Sequence, residues 1–368
     1  MLLTFLRRGD IIENVCNMAI TLADVAREAK VDVSTASRAL NGRSGISQEV
    51  RERVASAAER LNYRPNLVAR GLVTGRSSAI GLLVSDIRNP YFAELARGAE
   101  DACREAGYDV VLCNSDMDPG KQMRYFRSLL DKRAGGIIMN SVAPLSQADR
   151  KQIASSTIPV VLLSRAARER TFSSVTCDNE RGGYLAGAYL AGLGHTNVAH
   201  LTGKVHHPNL EERWRGFVKA FQRATPAAKP VLLLGEHNSR GGFAMAQELL
   251  KLHPDVTAIF AGNDDLAFGA ARALNAAGVR IPEDISLIGF DGASQGAFAH
   301  PPLTTISQPI YEIGKAAVEI LTGQINRRDR IPEHRTFGVR LLERDSCGRP
   351  PAPAKRARKK PLPRQVIA

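Results

Sequence analysis

Val33, Ser34 and Arg38 lie close together in the run Val33-Ser34-Thr35-Ala36-Ser37-Arg38-Ala39-Leu40-Asn41. If that run is a helix, positions 34 and 38 share one face. A guanidinium presented there can donate two hydrogen bonds to guanine, a contact worth about 1–3 kcal/mol of base discrimination, and a valine can meet a thymine methyl. Thr35, Ser37 and Asn41 are small polar residues suited to phosphate oxygens, which position a protein on DNA without specifying sequence. A second chemistry follows apolar runs farther along the chain. Asp86 follows run 80–84, Asn263 and Asp264 follow 258–261, and Asp291 follows 286–290. Carboxylates and amides accept hydroxyl protons. Arg213, in Glu211-Glu212-Arg213-Trp214-Arg215-Gly216-Phe217, can donate, and the Tyr91-Phe92 rings can cover an apolar face. A polyhydroxylated ligand needs that mixture.

The elements that must position these groups are legible locally. Thr21 is a good helix N-cap, with Asp24 three residues on in a capping-box relation. Leu22, Val25, Ala26 and Ala29 then form one apolar face. The turn at Lys30-Val31 asks for a left-handed residue, where lysine carries some strain. Asp32 caps the next helix, with Ala36, Ala39 and Leu40 facing inward. Ser47 caps a third, whose Val50, Val54, Ala57 and Leu61 lie on one side. Three short helices around one small core make a complete helix-turn-helix module over 18–63. Residues 64–78 read as a linker with a marginal helix, Pro65 in its first turn. From 79 onward, strand-like runs (80–84, 109–113, 136–139, 159–163, 174–177, 198–201, 231–234, 258–261 and 286–290) alternate with amphipathic segments. That is βα repetition, hence parallel sheets covered by helices. So many strands over 79–346 fit two doubly wound lobes; a single α/β barrel would need more regular repeats.

Bulk properties set the partners. The 368 residues carry a net charge of +13, with 44% hydrophobic and 24% charged residues, ordinary for a globular chain of two or three domains. The positive excess sits at the ends. Residues 18–78 hold ten Lys/Arg against six Asp/Glu, and 348–368 hold seven Lys/Arg and no acid. Such a balance favours a polyanion. The five cysteines (Cys16, Cys103, Cys113, Cys177, Cys347) are scattered, which fits a reducing cytoplasm and argues against a zinc site. No apolar run is long enough to span a membrane. Residues 1–17 read as an extension without a folded role. Residues 347–368, rich in proline and basic residues, read as a disordered tail.

The run of motifs resembles the lactose/galactose repressor (LacI/GalR) family of bacterial transcription regulators. It is carried by T-L-A-D-V-A-R-E-A (21–29), S-T-A-S-R-A-L-N (34–41), L-N-Y-R-P-N-L-V-A-R-G-L (61–72), I-G-L-L-V (80–84), N-P-Y-F-A-E (89–94), C-D-N-E-R-G-G (177–183), F-A-G-N-D-D-L-A-F-G-A (260–270), I-P-E-D-I-S-L-I-G-F-D (281–291) and P-L-T-T-I-S-Q-P (302–309). Together these span about 19–345 in family order. The resemblance implies a helix-turn-helix headpiece, a hinge helix, and a two-lobed core like the periplasmic sugar-binding proteins. It also implies a homodimer on a two-fold, pseudo-palindromic operator, controlled by a small-molecule effector and needing no other cofactor.

The resemblance further implies roles. Val33, Ser34 and Arg38 read bases; Thr21, Thr35, Ser37, Asn41, Tyr63, Val68 and Ala69 complete the DNA-contacting set. Leu72 is the hinge wedge between base pairs. Arg213, Asn263 or Asp264, and Asp291 bind effector hydroxyls, with Asp86, Tyr91 and Phe92 from the first lobe. Two departures stand out. Ser164 replaces an Asp that many relatives pair with the cleft arginine, beside Arg165. His237 replaces an aromatic residue. A cleft with Arg165 and Arg213 and one carboxylate fewer is expected to be more positive, favouring a sugar acid or sugar phosphate. The basic tail breaks any heptad pattern, so a dimer is expected and not a tetramer. A sugar receptor or sugar enzyme could share the core. The receptor reading has neither a secretion signal nor a use for the headpiece. The enzyme reading lacks a P-loop, a G-x-S-x-G elbow and an H-E-x-x-H motif. Release by an inducer and tightening by a corepressor both stay open.

Overall fold

The computed structural model describes residues 20–42, 44–63, 77–141, 145–163, 171–204, 207–327 and 331–352. Two compact units divide at Ser77 and Ser78. The first contains three helices, α1 (Leu22–Glu28), α2 (Val33–Leu40) and α3 (Gln48–Arg60). Each starts at its expected cap: Thr21 accepts from the Asp24 amide, Asp32 from Thr35, and Ser47 from Val50. Asp24 returns the bond to the Thr21 amide at 2.9 Å, closing a capping box. The α1–α2 turn is a Schellman motif, with Lys30 at φ 54 and the Val31 amide donating to the Ala26 carbonyl at 3.0 Å. The left-handed strain expected at Lys30 is therefore present. Val25, Ala26, Ala29, Ala36, Val54 and Ala57 form the buried core. Arg53 Nε donates to the Ala29 carbonyl at 2.9 Å, tying α3 to the end of α1.

The second unit is two α/β lobes. Lobe 1 is a parallel sheet ordered β11-β5-β4-β3-β1-β2, and lobe 2 is ordered β12-β10-β9-β8-β6-β7. The strands are β1 (Ala79–Val84), β2 (Asp109–Asn114), β3 (Gly136–Met139), β4 (Val160–Leu162), β5 (Ser173–Cys177), β6 (Val198–Gly203), β7 (Val231–Gly235), β8 (Ala258–Ala261), β9 (Ser286–Asp291), β10 (Thr304–Ser307), β11 (His334–Phe337) and β12 (Arg340–Leu342). All pairings are parallel except β10 with β12. The helices are α4 (Pro90–Glu105), α5 (Pro119–Asp131), α6 (Gln147–Ala154), α7 (Asn179–Gly192), α8 (Pro208–Ala224), α9 (Ser239–Leu252), α10 (Asp264–Ala276) and α11 (Ile310–Asn326). The chain crosses between lobes three times: after β5, after β10, and between β11 and β12. Central strands such as β3, β8 and β9 are buried along their whole length, as a sheet covered on both faces requires.

Three strands go beyond the periodicity reading. β10 is a short run of Thr and Ser around one Ile. β11 carries His334 and Arg335 with alternating exposure, and β12 starts at the exposed Arg340 and has only three residues, which hides both from an apolar-run search. The tail also starts later than residue 347. The Gly348 amide donates to Ser286 Oγ at 3.0 Å, and Cys347 Sγ to the Leu287 carbonyl at 3.2 Å. His195 holds the Gly348 carbonyl at 2.9 Å. Cys347 and Gly348 thus pack on lobe 2, because the start of β9 leaves polar groups that they satisfy. The expected hinge residues Val68, Ala69 and Leu72, the segment 1–17, the cleft positions Ser164 and Arg165, and residues 353–368 lie outside the described residues.

Candidate functional site

Val33, Ser34 and Arg38 project from α2, all exposed, with Val33 at 47%. Asp32 anchors this face. Its carboxylate accepts the Ser34 hydroxyl at 2.6 Å and the Thr35 hydroxyl at 2.7 Å. Those bonds, Ser34 first, hold Asp32 well below the usual carboxylate range. Ser34 and Thr35 must therefore exchange an internal acceptor for any outside one. Thr21 is likewise engaged with Asp24, and Asn41 Nδ2 with the Ser37 carbonyl at 2.8 Å. Arg38 has no ion-pair partner among the described residues. Tyr63 is half-buried against the headpiece core.

In the second unit, the carboxyl ends of both sheets converge on one cavity of about 460 Å³. That is the place and size expected for a small-molecule site in open α/β sheets. Asp86, Tyr91, Phe92, Arg213, His237, Asn263 and Asp291 all line it. Arg213 is the keystone. It projects from α8, and α8 packs so tightly on α7 that a Cβ at Gly183 would fall 1.9 Å from the Arg213 carbonyl oxygen. Its Nε donates to Asn179 Oδ1 at 2.9 Å and its Nη1 to the Gly262 carbonyl. The guanidinium lies 3.6 Å from the Phe290 ring centroid, and Nη1 is 3.9 Å from Asp291 Oδ1.

Asp291 ends β9 in a left-handed conformation, φ 123, followed by Gly292 at φ 80. For a non-glycine residue that is strained backbone, and strain of this kind gathers at functional sites. Gln308 Nε2 donates to Asp291 Oδ1 at 2.8 Å. Burial pushes this carboxyl upward against the pull of Arg213. Tyr91 and Phe92 meet edge to face, with centroids 5.0 Å apart. Asp86 is largely spoken for: Arg88 clamps it through Nε at 2.8 Å and Nη2 at 2.7 Å. Asn263 lines the cavity while its Oδ1 caps α10 through the Leu266 amide at 2.7 Å.

Asp264 does not reach the cavity. Its Oδ1 accepts the Thr305 hydroxyl at 2.6 Å and its Oδ2 the Ala293 amide at 2.7 Å. A Cβ at Gly289 would lie 2.1 Å from Oδ1, so β9 leaves room for this carboxylate. Asp264 braces β10 and the turn after β9; its neighbour Asp265 is the residue that faces the cleft. Burial, then the nearby Asp291, pushes the Asp264 carboxyl up.

One further wall residue, Asn209, escaped sequence reading. Asn209 Oδ1 and His237 Nδ1 are buried with no hydrogen-bond partner among the described residues. His207, His200 and His237 are each held neutral by burial, down to about 4, 3 and 3, with Arg213 adding to the effect. Asn140 and Gln308 also line the cavity. They directly follow β3 and β10, so the strand-end rule that found Asp291 would have found them. The described wall carries Asp86, Asp116, Glu236, Asp265 and Asp291 beside Arg88, Lys204 and Arg213; Ser164 and Arg165, on which the expected positive cleft rests, lie outside the described residues.

Residues 21–66 match the family model described as bacterial regulatory proteins, lacI family, and 77–343 match periplasmic binding proteins and sugar binding domain of LacI family. The chain is 37% identical to the ribose operon repressor of Halalkalibacterium halodurans, over 84% of this chain and 91% of that protein. A LacI family transcriptional regulator from Enterococcus faecium with bound ribose is 33% identical, with a TM-score of 0.67, covering 73% of this chain and 98% of that one. The lac repressor dimer bound to operator and the anti-inducer ONPF is 28% identical, with a TM-score of 0.77, covering 89% and 99%.

Proposed function

The chain belongs to the LacI family of bacterial regulatory proteins, and from that premise we propose that it is a dimeric repressor released from its operator by a carbohydrate. The observation that carries the ligand class is a pair of buried atoms with no partner among the described residues, Asn209 Oδ1 and His237 Nδ1, in the same cavity as Arg213 and Asp291. A hydroxyl both donates and accepts, so it satisfies either imidazole tautomer as well as an amide oxygen. Leaving such atoms dry costs roughly 1–3 kcal/mol each. Tyr91 and Phe92 supply the apolar cover. Ribose bound to the Enterococcus faecium relative is in keeping with this chemistry.

A neutral sugar suits the described wall better than the sugar acid or sugar phosphate that Arg165 favours. Among the described wall residues Arg213 is the buried cation and already serves Asn179, Gly262 and the Phe290 face, and the lining His207 and His237 are neutral. The dimer is supported by exposed apolar residues on the edge strands of both lobes. These are Val111 and Leu112 on β2, and Leu232 and Leu234 on β7. A hydrophobic face at a sheet edge is a surface that another chain covers. A regulator of this kind works on the chromosome, in the cytoplasm.

The test uses the full chain. An operator is selected from a randomised DNA pool, and D-ribose, other neutral sugars, sugar acids, sugar phosphates and purines are screened by thermal shift. A ligand at a hundredfold its Kd stabilises by about 2.7 kcal/mol, enough to read. The expected result is a palindromic site, and a neutral sugar that raises the melting temperature and weakens DNA binding. A ligand that tightens DNA binding would make the protein a corepressor-dependent regulator. Binding confined to phosphorylated sugars would overturn the ligand class.

A further inference from the structure

His207 stands on the seam between the lobes. It is the N-cap of α8 in lobe 2, where its Nδ1 accepts the Asn209 amide at 3.3 Å. Its Nε2 lies 3.0 Å from the carbonyl oxygen of Ser141, which follows β3 in lobe 1. A carbonyl only accepts, so Nε2 carries the proton and Nδ1 keeps the lone pair that caps the helix. Both ring nitrogens are thus committed, one to each lobe. Two residues on is Asn209, in the cavity wall, whose Oδ1 has no partner among the described residues. Six residues on is Arg213.

We propose that His207 is an interlobe latch, a positioning residue that fastens lobe 1 to the first turn of α8. Closure of the cleft and alignment of Asn209 and Arg213 then become one event. Parting the lobes breaks the Nε2–Ser141 bond, and the freed ring no longer holds its Nδ1 against the Asn209 amide. The helix start loosens just as the cavity opens. A discrete contact made in one arrangement and lost in the other is what a two-state switch needs. The proposal rests on the cleft being the effector site.

Cys177 is a built-in reporter. It lines the same cavity and is 5% exposed, whereas Cys103 and Cys113 are buried in lobe 1 away from that lining. The full chain and its His207→Ala and His207→Gln variants are alkylated with N-ethylmaleimide without ligand, and each cysteine is followed by peptide mass spectrometry. Glutamine keeps one donor and one acceptor; alanine keeps neither. The latch predicts that Cys177 alone reacts several-fold faster in the alanine variant and returns toward the parent rate in the glutamine variant. Three results overturn it: an unchanged Cys177 rate in the alanine variant, a parallel rise at all three cysteines, or glutamine no better than alanine. Failure of the sugar screen with the Cys177 response intact would instead reject the effector reading and leave the latch.

Discussion

Replacing Arg213 by lysine keeps the charge and removes the geometry. The guanidinium makes two hydrogen bonds in different directions, to Asn179 Oδ1 and the Gly262 carbonyl, while its plane lies 3.6 Å from the Phe290 centroid. A single ammonium on a narrower stem can keep at most one of those bonds and none of the planar stacking. The lost charged hydrogen bond is worth roughly 1.5–3 kcal/mol. A desolvated cation–π contact adds about 2 kcal/mol, only part of which lysine retains. The expected destabilisation of the core is therefore about 3–4 kcal/mol. At roughly 2–4 °C per kcal/mol for a domain of this size, the core melts on the order of 6–16 °C lower. Calorimetry of the full chain reads this without any ligand. A drop below about 2 °C would refute the keystone role, because it would leave less than 1 kcal/mol for all three contacts. The same variant should lose most of the sugar-induced thermal shift; a full shift on a destabilised core would separate folding from binding.

Arg38→Ala should weaken operator binding about 10- to 100-fold and relax preference at one base position, while binding to random DNA changes little; fluorescence anisotropy with the selected site and a scrambled one measures both. Acid stability offers a second check. His200 is neutral when folded, down to about 3, and takes up a proton near its ordinary value of 6.5 when unfolded, so its contribution is present above that value and drains away as pH falls. His200→Phe should make the fall in melting temperature between pH 7 and pH 5 shallower, and an identical slope would count against the linkage. Asp264→Ala should lower core stability with or without sugar, since its carboxylate holds Thr305 and Ala293; a variant of normal stability that has lost only ligand binding would return Asp264 to the cleft. Removing residues 353–368 takes away six Lys/Arg and should flatten the salt dependence of DNA affinity if the tail touches phosphates; gel shifts across a salt series decide it.

What the sequence determined is what depends on near neighbours. Thr21, Asp32 and Ser47 announced their helices because a cap is a bond between residues three apart. Lys30 announced a strained turn because a Schellman ending needs a left-handed residue there. Asp291 was placed at a strand end by the five-residue run 286–290, and the family resemblance carried Arg213 and Tyr91-Phe92 to the same cleft. Tertiary structure decided everything that depends on direction across distance. Asp264 and Asp265 are adjacent on the first turn of α10, about 100° apart around its axis. Only the seating of that helix against β9 and β10 turned one into a brace and the other into the cavity wall. Asn209 looks like an ordinary first-turn residue of α8 until packing buries its Oδ1 with no partner among the described residues. The bond from His207 to Ser141 joins residues 66 apart in different lobes. No local pattern encodes it, because it exists only where the two lobes meet.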